Sequence, residues 1–480
     1  TKQDVVDWAN KYLGPESYAI IYKREGKDPD EQKIAAPKIT PIVTNRDSQS
    51  EFLSEIQTSQ VQPIEPVFVD YKKDMSQFEA QPGIDVLYKK NETNDIFTLI
   101  YVFNTGTEND PALNLAFNYL SYLGTDKMTA EEIASEMYDI ACSFYMNAGA
   151  NQSSIQITGL SENMGKAMEI VEGLIAGAKP DEAILENLKG DMLKSRADAK
   201  LNQSRCFGAL QRYLFYGGDF IRRTTLTDPA LQALTSEQLL AKIGGLMGKQ
   251  HEVLYYGPQK EAEVKSALAK HHKVAADLQP LEKKFSTLLP TDANKVVLAQ
   301  YDAKQLYYLQ FSNRGEKFDV AADPEITLYN EYFGGGMNTI VFQEMREARG
   351  LAYTAWATLA TPSNANGDYS YYAFIATQND KMQKAVEAFD DIINNMPESE
   401  KAFGIAKEAL VSRLRTERTV KDGVLWSYLR ARDLGLDAPR DKQIFEKVQS
   451  MTLDDVKAAQ QKWVKGRKYV YGILGDIQNL

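Results

Sequence analysis

Cysteine and histidine are scarce in this chain: its 480 residues hold two cysteines, Cys142 and Cys206, and three histidines, His251, His271 and His272. Two cysteines cannot build a disulfide framework or a cysteine-based zinc site. They fit a reduced cytosol and a lightly bridged periplasmic protein equally well, so both compartments stay open. The histidines stand in neither a His-Glu-x-x-His nor a His-x-x-Glu-His frame, so two metal ligands one helical turn apart cannot come from here. We expect no metal in this chain and a surface or capping role for all three. A Gly-x-Ser-x-Gly elbow is missing too, and no Lys-Ser/Thr follows the triple glycine Gly334 to Gly336, which argues against serine hydrolase and nucleotide-binding readings. Positive charge is also short. The 55 Lys and Arg against 66 Asp and Glu leave −11, without the general basic footprint that nucleic acid or anionic lipid requires. No apolar run approaches the ~18 residues of a membrane-spanning helix.

What is present reads as an ordinary folding chain, 43% apolar and 25% charged, long enough for about three domains at ~150 residues each. Internal repetition is the most informative signal. Asp110 to Leu120 (DPALNLAFNYL) matches Asp323 to Phe333 (DPEITLYNEYF) at an offset of 213 residues, and Glu136-Met137 faces Glu344-Met345 at 208. Lys166-Ala167 faces Lys384-Ala385 at 218 and Thr235 faces Thr452 at 217. Four matches in one order with nearly constant spacing imply a duplicated body. Its closing unit is a Thr-capped helix and a short strand, seen at Met451 to Asp476 and at Leu234 to Gly257. A third version opens the chain at Thr1 to Tyr22, with Thr1, Val5 and Tyr18 facing Thr452, Val456 and Tyr469 at an offset of 451.

The repeat sets the expected organisation: 1–22 as the tail of a missing upstream domain, 23–81 as a proline-punctuated linker, 82–258 and 294–480 as two complete bodies, and 259–293 as the connector. Each body runs strands, a helix after Asp-Pro, another helix, more strands, then long helices such as Asp181 to Ala199 and Glu400 to Thr419. That order predicts an α+β class of two homologous two-layer sandwiches, their sheets mainly antiparallel and covered on one face.

The segment Tyr332 to Thr377 carries Gly334, Gly335, Gly336, Phe342, Gln343, Arg346, Glu347, Gly350, Leu351, Ala352 and Tyr353. On these residues the chain resembles the pitrilysin/insulinase family of zinc metallopeptidases, the inverzincins, in the half opposite the zinc. The resemblance implies four similar domains in two halves, of which this chain would be the C-terminal half. It places zinc and the His-x-x-Glu-His helix in the absent half, since the corresponding helices around Leu113 to Tyr122 and Ile326 to Phe333 contain no histidine. It also casts Arg346 and Tyr353 as donors reaching across a chamber to the scissile carbonyl, chemistry that a guanidinium and a phenol O–H suit. Gly334 to Gly336 would let backbone approach the bound peptide. Tyr138 and Tyr145 take the Arg346 and Tyr353 places in the first body, which has lost the arginine.

A structural account of the same residues runs alongside. Arg346 and Arg349 lie in the last turn before Gly350, where cations complement the helix dipole for ~0.3–1 kcal/mol each. The glycines fit a turn needing φ > 0, and Tyr369 to Phe374 fits a core strand. Against the capping account, Arg346 follows Phe342 by four on the apolar side, where an unpaired charge is costly. The implied function is the C-terminal half of a zinc-dependent metalloendopeptidase. It would enclose a peptide or unfolded polypeptide and work with its own N-terminal half or a homologous catalytic subunit. The alternative is a non-catalytic peptide-binding or assembly subunit of the same fold.

Overall fold

A computed structural model of the chain describes residues 1–14, 16, 18–23, 26, 50–60 and 62–479. These fall into two compact units, Thr1–Gln62 and Pro63–Leu480. In the first, the helix Lys2–Tyr12 starts on a capping box in which Thr1 and Asp4 satisfy each other's backbone N–H, as the Thr-led repeat predicts. None of its residues is buried, and Val5, Trp8 and Tyr12 are exposed. The strand expected over Tyr18 to Tyr22 is not formed. Residues 24–25 and 27–49 of the expected linker lie outside the described residues.

The second unit begins inside the expected linker. Its first strand, β1 (Ser76–Gln81), pairs antiparallel with β2 (Ile84–Lys90). β3 (Ile96–Phe103), β4 (Cys142–Ala148), β5 (Ser153–Leu160) and β6 (His251–Gly257) complete a sheet in the order β1-β2-β6-β3-β5-β4. A second sheet holds β7 (Lys295–Gln300), β8 (Gln305–Ser312), β9 (Thr354–Ala360), β10 (Ser370–Gln378) and β11 (Val470–Gly475), ordered β7-β11-β8-β10-β9. Setting β1 aside, the two orders are the same. In each, the last strand joins the first in parallel (β6 with β2, β11 with β7), and all other pairs are antiparallel.

β-Branched and aromatic runs such as IFTLIYVF in β3 make central strands because such side chains fill both faces of a pleated surface. On one face of the first sheet, Val86, Leu99, Ile155 and Val253 pack under helices Leu113–Leu120, Met164–Gly177 and Ser236–Leu246. On the matching face of the second, Leu306, Tyr308, Tyr371 and Ile375 pack under Asp323–Phe333, Met382–Asn394 and Leu453–Ala459.

The opposite faces are covered as well, which corrects the expectation of one bare side. Each body lends the other a helix. Val424, Leu425 and Leu429, from helix Gly423–Asp433, bury Leu87, Ile100, Val102 and Leu254 of the first sheet. Phe207, Leu210 and Leu214, from helix Gln203–Thr224, bury Leu309 and Leu474 of the second. Gly472 makes this approach possible, since a Cβ there would overlap the Leu214 side chain. At ~1.5–3 kcal/mol for each fully buried large apolar side chain, the exchange is a major stabilising contact of both bodies.

Candidate functional site

The Arg/Tyr turn is built outward from helix Asp323–Phe333, which has Pro324 in its first turn and ends at Gly334. Asn330 ties that helix to edge strand β9: its Nδ2 donates to the Leu359 carbonyl and the Leu359 N–H donates to its Oδ1, both at 2.9 Å. Gly334 sits so close to the Asn330 and Ala357 carbonyls that a Cβ would overlap the first. None of the three glycines has a positive φ. The requirement is therefore close packing at Gly334 rather than a left-handed turn, and Gly336 has ordinary room for a side chain.

Thr339 caps the glycine loop through Oγ1 to the Gly336 carbonyl at 2.7 Å, and Gln343 Nε2 reaches the Met337 carbonyl at 2.5 Å. From Ile340–Phe342 the backbone widens into a π-helical turn over Gln343–Ala348, a local form often seen where a helix is bent to serve a site. Gly350, at φ +56°, ends it as a helix-terminal glycine should. Tyr353 follows, its N–H donating to the Ala376 carbonyl at 3.1 Å.

This geometry brings Arg346 and Tyr353 together. The guanidinium lies 5.0 Å from the ring centroids of both Phe342 and Tyr353. Such contacts are worth ~0.5–1 kcal/mol at an exposed site, enough to orient the fork without burying it. Among the described residues its nearest carboxylate is Glu347, 3.6 Å from Nε. Arg346 is 40% exposed and Tyr353 69%, so the desolvation argument for Arg346 drops out. The helix-end role falls to Arg349, which pairs with Glu344 at 3.3 Å and Asp391 at 3.1 Å. Phe342 and Gln343 were visible in the motif but carried no role there; one stacks on Arg346 and the other anchors the turn. The strand with Tyr369 and Tyr371 is core, both residues being fully buried. In the first body Tyr138 is exposed near the end of helix Ala130–Asp139, but Tyr145 lies inside β4, where the strand pairings make it the counterpart of Trp356 and put Cys142 at the place of Tyr353, a correction to the expected match.

The histidines are buried rather than at the surface, another correction. His251 and His272 share a 2.8 Å Nε2–Nε2 hydrogen bond, His272 Nδ1 lies 2.6 Å from the Glu172 carboxylate, and His271 Nδ1 lies 3.1 Å from Glu169. Burial, reinforced by His272, pushes His251 down to about 4. Zinc does not fit here: two nitrogens at ~2.05 Å in a tetrahedral shell stand roughly 3.3 Å apart, wider than this bond. Among the described residues no three His, Cys, Asp or Glu side chains are grouped to hold a metal, and no helix is long and apolar enough to cross a membrane.

The site stands on the second of two like sandwich bodies, and among the described residues neither body groups three His, Cys, Asp or Glu side chains to hold a metal. Known proteins share part of this sequence and its fold. Residues 250–410 match the description "Peptidase M16 inactive domain". An uncharacterised zinc protease of Streptomyces coelicolor is 22% identical over 266 residues, 52% of this chain and 56% of that protein. Among solved structures, the peptidase M16 inactive domain from Pseudomonas fluorescens superposes with a TM-score of 0.65 at 18% identity, covering 84% of this chain and 97% of that one. The ferredoxin protease FusC, in complex with Arabidopsis ferredoxin, gives 0.65 at 13% identity over 99% of this chain and 50% of its own. Residues 250–410 are therefore similar to the M16 inactive domain, and the fold is shared with solved members of that group. The chain spans little more than half the length of the Streptomyces relative and half that of FusC.

Proposed function

We propose that this chain is the substrate-enclosing half of a zinc-dependent M16 endopeptidase, acting with a zinc-bearing half that is its own N-terminal part or a homologous catalytic subunit. The observation that carries the reading is the paired presentation of Arg346 and Tyr353. Both are exposed, and the guanidinium is held by two rings, with its N–H groups directed to no strong partner among the described residues. In that role Arg346 donates N–H bonds to the oxygen that gains charge as the scissile carbonyl is attacked. Tyr353 donates its phenol proton to the same oxygen or to the neighbouring peptide group. The zinc and the attacking water belong to the other half, because the histidines of this chain are spent on each other and on Glu169 and Glu172. A polypeptide substrate accords with the relative solved bound to ferredoxin. In this reading 1–22 closes an upstream domain: its Thr1 box repeats those at Thr235 and Thr452, and its Val5 is exposed where Val456 is buried.

The test uses the enzyme with its zinc half present. Arg346→Ala and Tyr353→Phe should each lower kcat about 10²–10³-fold, the usual cost of removing an oxyanion donor, with zinc content and Tm unchanged. Arg346→Lys keeps charge without the planar fork and should recover little. Turnover near wild type in both Arg346 variants would leave the chain a non-catalytic peptide-binding or assembly subunit.

A further inference from the structure

The two sheets differ at one edge. In the first, β1 covers β2, with Phe78 opposite Val86 and Ser76 opposite Tyr88, and Val86 and Tyr88 are buried. Aligning the closing strands at Gly257 and Gly475 makes Val86 equivalent to Val296 and Tyr88 to Leu298, because each partners the same position of its neighbour. The second sheet has no counterpart of β1 within residues 63–479, so β7 is an edge strand. Val296 is 61% exposed and Leu298 52%. The N–H groups of Lys295 and Tyr301 donate inward, to Tyr469 and Gly475. By alternation the backbone N–H and C=O of Val296 and Leu298 point outward, to no recorded backbone partner among the described residues. Edges of this kind are normally blunted by a bulge, a proline or a central charge. Between Lys295 and Gln300 the edge has none of these, and its register is regular.

We propose that the β7 edge is a binding site for an extended peptide segment, added antiparallel as β1 is added to β2. The occupant is a peptide and not a second copy of this chain, since a six-residue edge falls far short of the ~1,600 Å² that a stable dimer buries. Main-chain bonds supply affinity and alternate side chains supply selectivity. The β1 template sets Phe78 at the place facing Val296 and Ser76 at the place facing Leu298, so it specifies an apolar residue against Val296. Charge specifies the next position, on the side of Val296 away from Leu298: Glu79 stands opposite Asp85 in the first sheet, and the place of Asp85 is taken by Lys295 in the second. A segment with an apolar-acidic pair such as Phe78-Glu79, placed against Val296 and Lys295, therefore matches β7 better in charge than it matches its own partner. The site lies at the opposite edge of the sheet from β9 and is independent of any role of Arg346.

The probe is a fluorescein-labelled peptide of residues 74–83, titrated into the whole chain by fluorescence anisotropy with hydrogen exchange in parallel. Saturable binding is expected, with the Val296 and Leu298 amides newly protected. A Glu79→Lys peptide should bind severalfold more weakly. Val296→Pro removes an outward N–H that an edge strand can spare and should weaken binding at least tenfold. Leu298→Lys, with the backbone intact, should do the same if the proline variant fails to fold. Absence of binding at millimolar peptide, equal binding by folded Val296→Pro or Leu298→Lys, or protection elsewhere would overturn the proposal. Sedimentation showing a dimer that Val296→Pro dissolves would assign the edge to a second copy and overturn it equally.

Discussion

The two bodies share a strand order but differ in how many buried hydroxyls they leave without a partner. In the first, the Lys249 carbonyl can only accept, so His251 gives it the Nδ1 proton at 2.7 Å and must accept at Nε2 from His272. His272 Nδ1 lies 2.6 Å from the Glu172 carboxylate, which also accepts from the Lys273 N–H at 3.3 Å. Every member of that relay is satisfied. In the second body, the hydroxyls of Tyr308 and Tyr371 and the Ser312 Oγ are buried with no partner among the described residues, whereas the first has one such hydroxyl, that of Tyr101, whose ring lies 4.1 Å from His272. A common backbone dictates where the core lies and leaves its polar bookkeeping to each copy. The histidine relay belongs to the first body, and most of these unpartnered hydroxyls to the body that presents Arg346 and Tyr353.

The largest test of this contrast is Glu172→Leu, which strips the relay of its anion and leaves His272 without its partner. Urea denaturation should show a loss of about 3–5 kcal/mol, the range for a broken buried pair; a loss under 1 kcal/mol would mean that the relay is not a closed unit. Next comes the turn. In the peptidase assembly proposed above, Tyr138→Ala in the first body should leave kcat unchanged where Arg346→Ala should lower it about 10²–10³-fold, and equal losses from the two would erase the proposed asymmetry. Third is pH. The unfolded chain protonates His251 near 6.5 whereas the fold resists until about 4. Its contribution is therefore complete above 6.5 and drains away as pH falls towards 4, by ~1.4 kcal/mol per pH unit at most. His251→Asn should flatten that part of the stability profile. Smallest is Tyr308→Phe or Tyr371→Phe, each removing a buried hydroxyl that makes no bond; stability should stay level or rise by up to ~1 kcal/mol. A fall of 2 kcal/mol would reveal a partner for the hydroxyl.

Much of this was legible because it rests on local or repeated pattern. The Asp110 and Asp323 matches foretell two like sheets, and the seven-residue spacing of Arg346 and Tyr353 suffices to pair them once a helix turns back at Gly350. Other features depend on distant partners. His272 reads as a polar residue until Glu172, a hundred residues away, is beside it. The apolar side of Gln203–Thr224 announces burial without saying that the cover is the other body's sheet. The π-helical turn is a choice of backbone hydrogen bonding, which side-chain periodicity does not encode. Gly334 looks like a turn residue, and only the approach of β9 shows what a Cβ would strike.

The exchanged helices bear on how the chain acquires its fold during synthesis. Leu87, Ile100, Val102 and Leu254 are all made well before Val424, Leu425 and Leu429, so the back of the first sheet stays wet until residues some 170 positions beyond β6 emerge. A nascent first body is thus an incomplete folding unit with an open apolar sheet. Neither body has a private melting transition: calorimetry on residues 63–480 should give one cooperative endotherm, and a chain stopped after residue 281 should aggregate rather than fold to half the enthalpy.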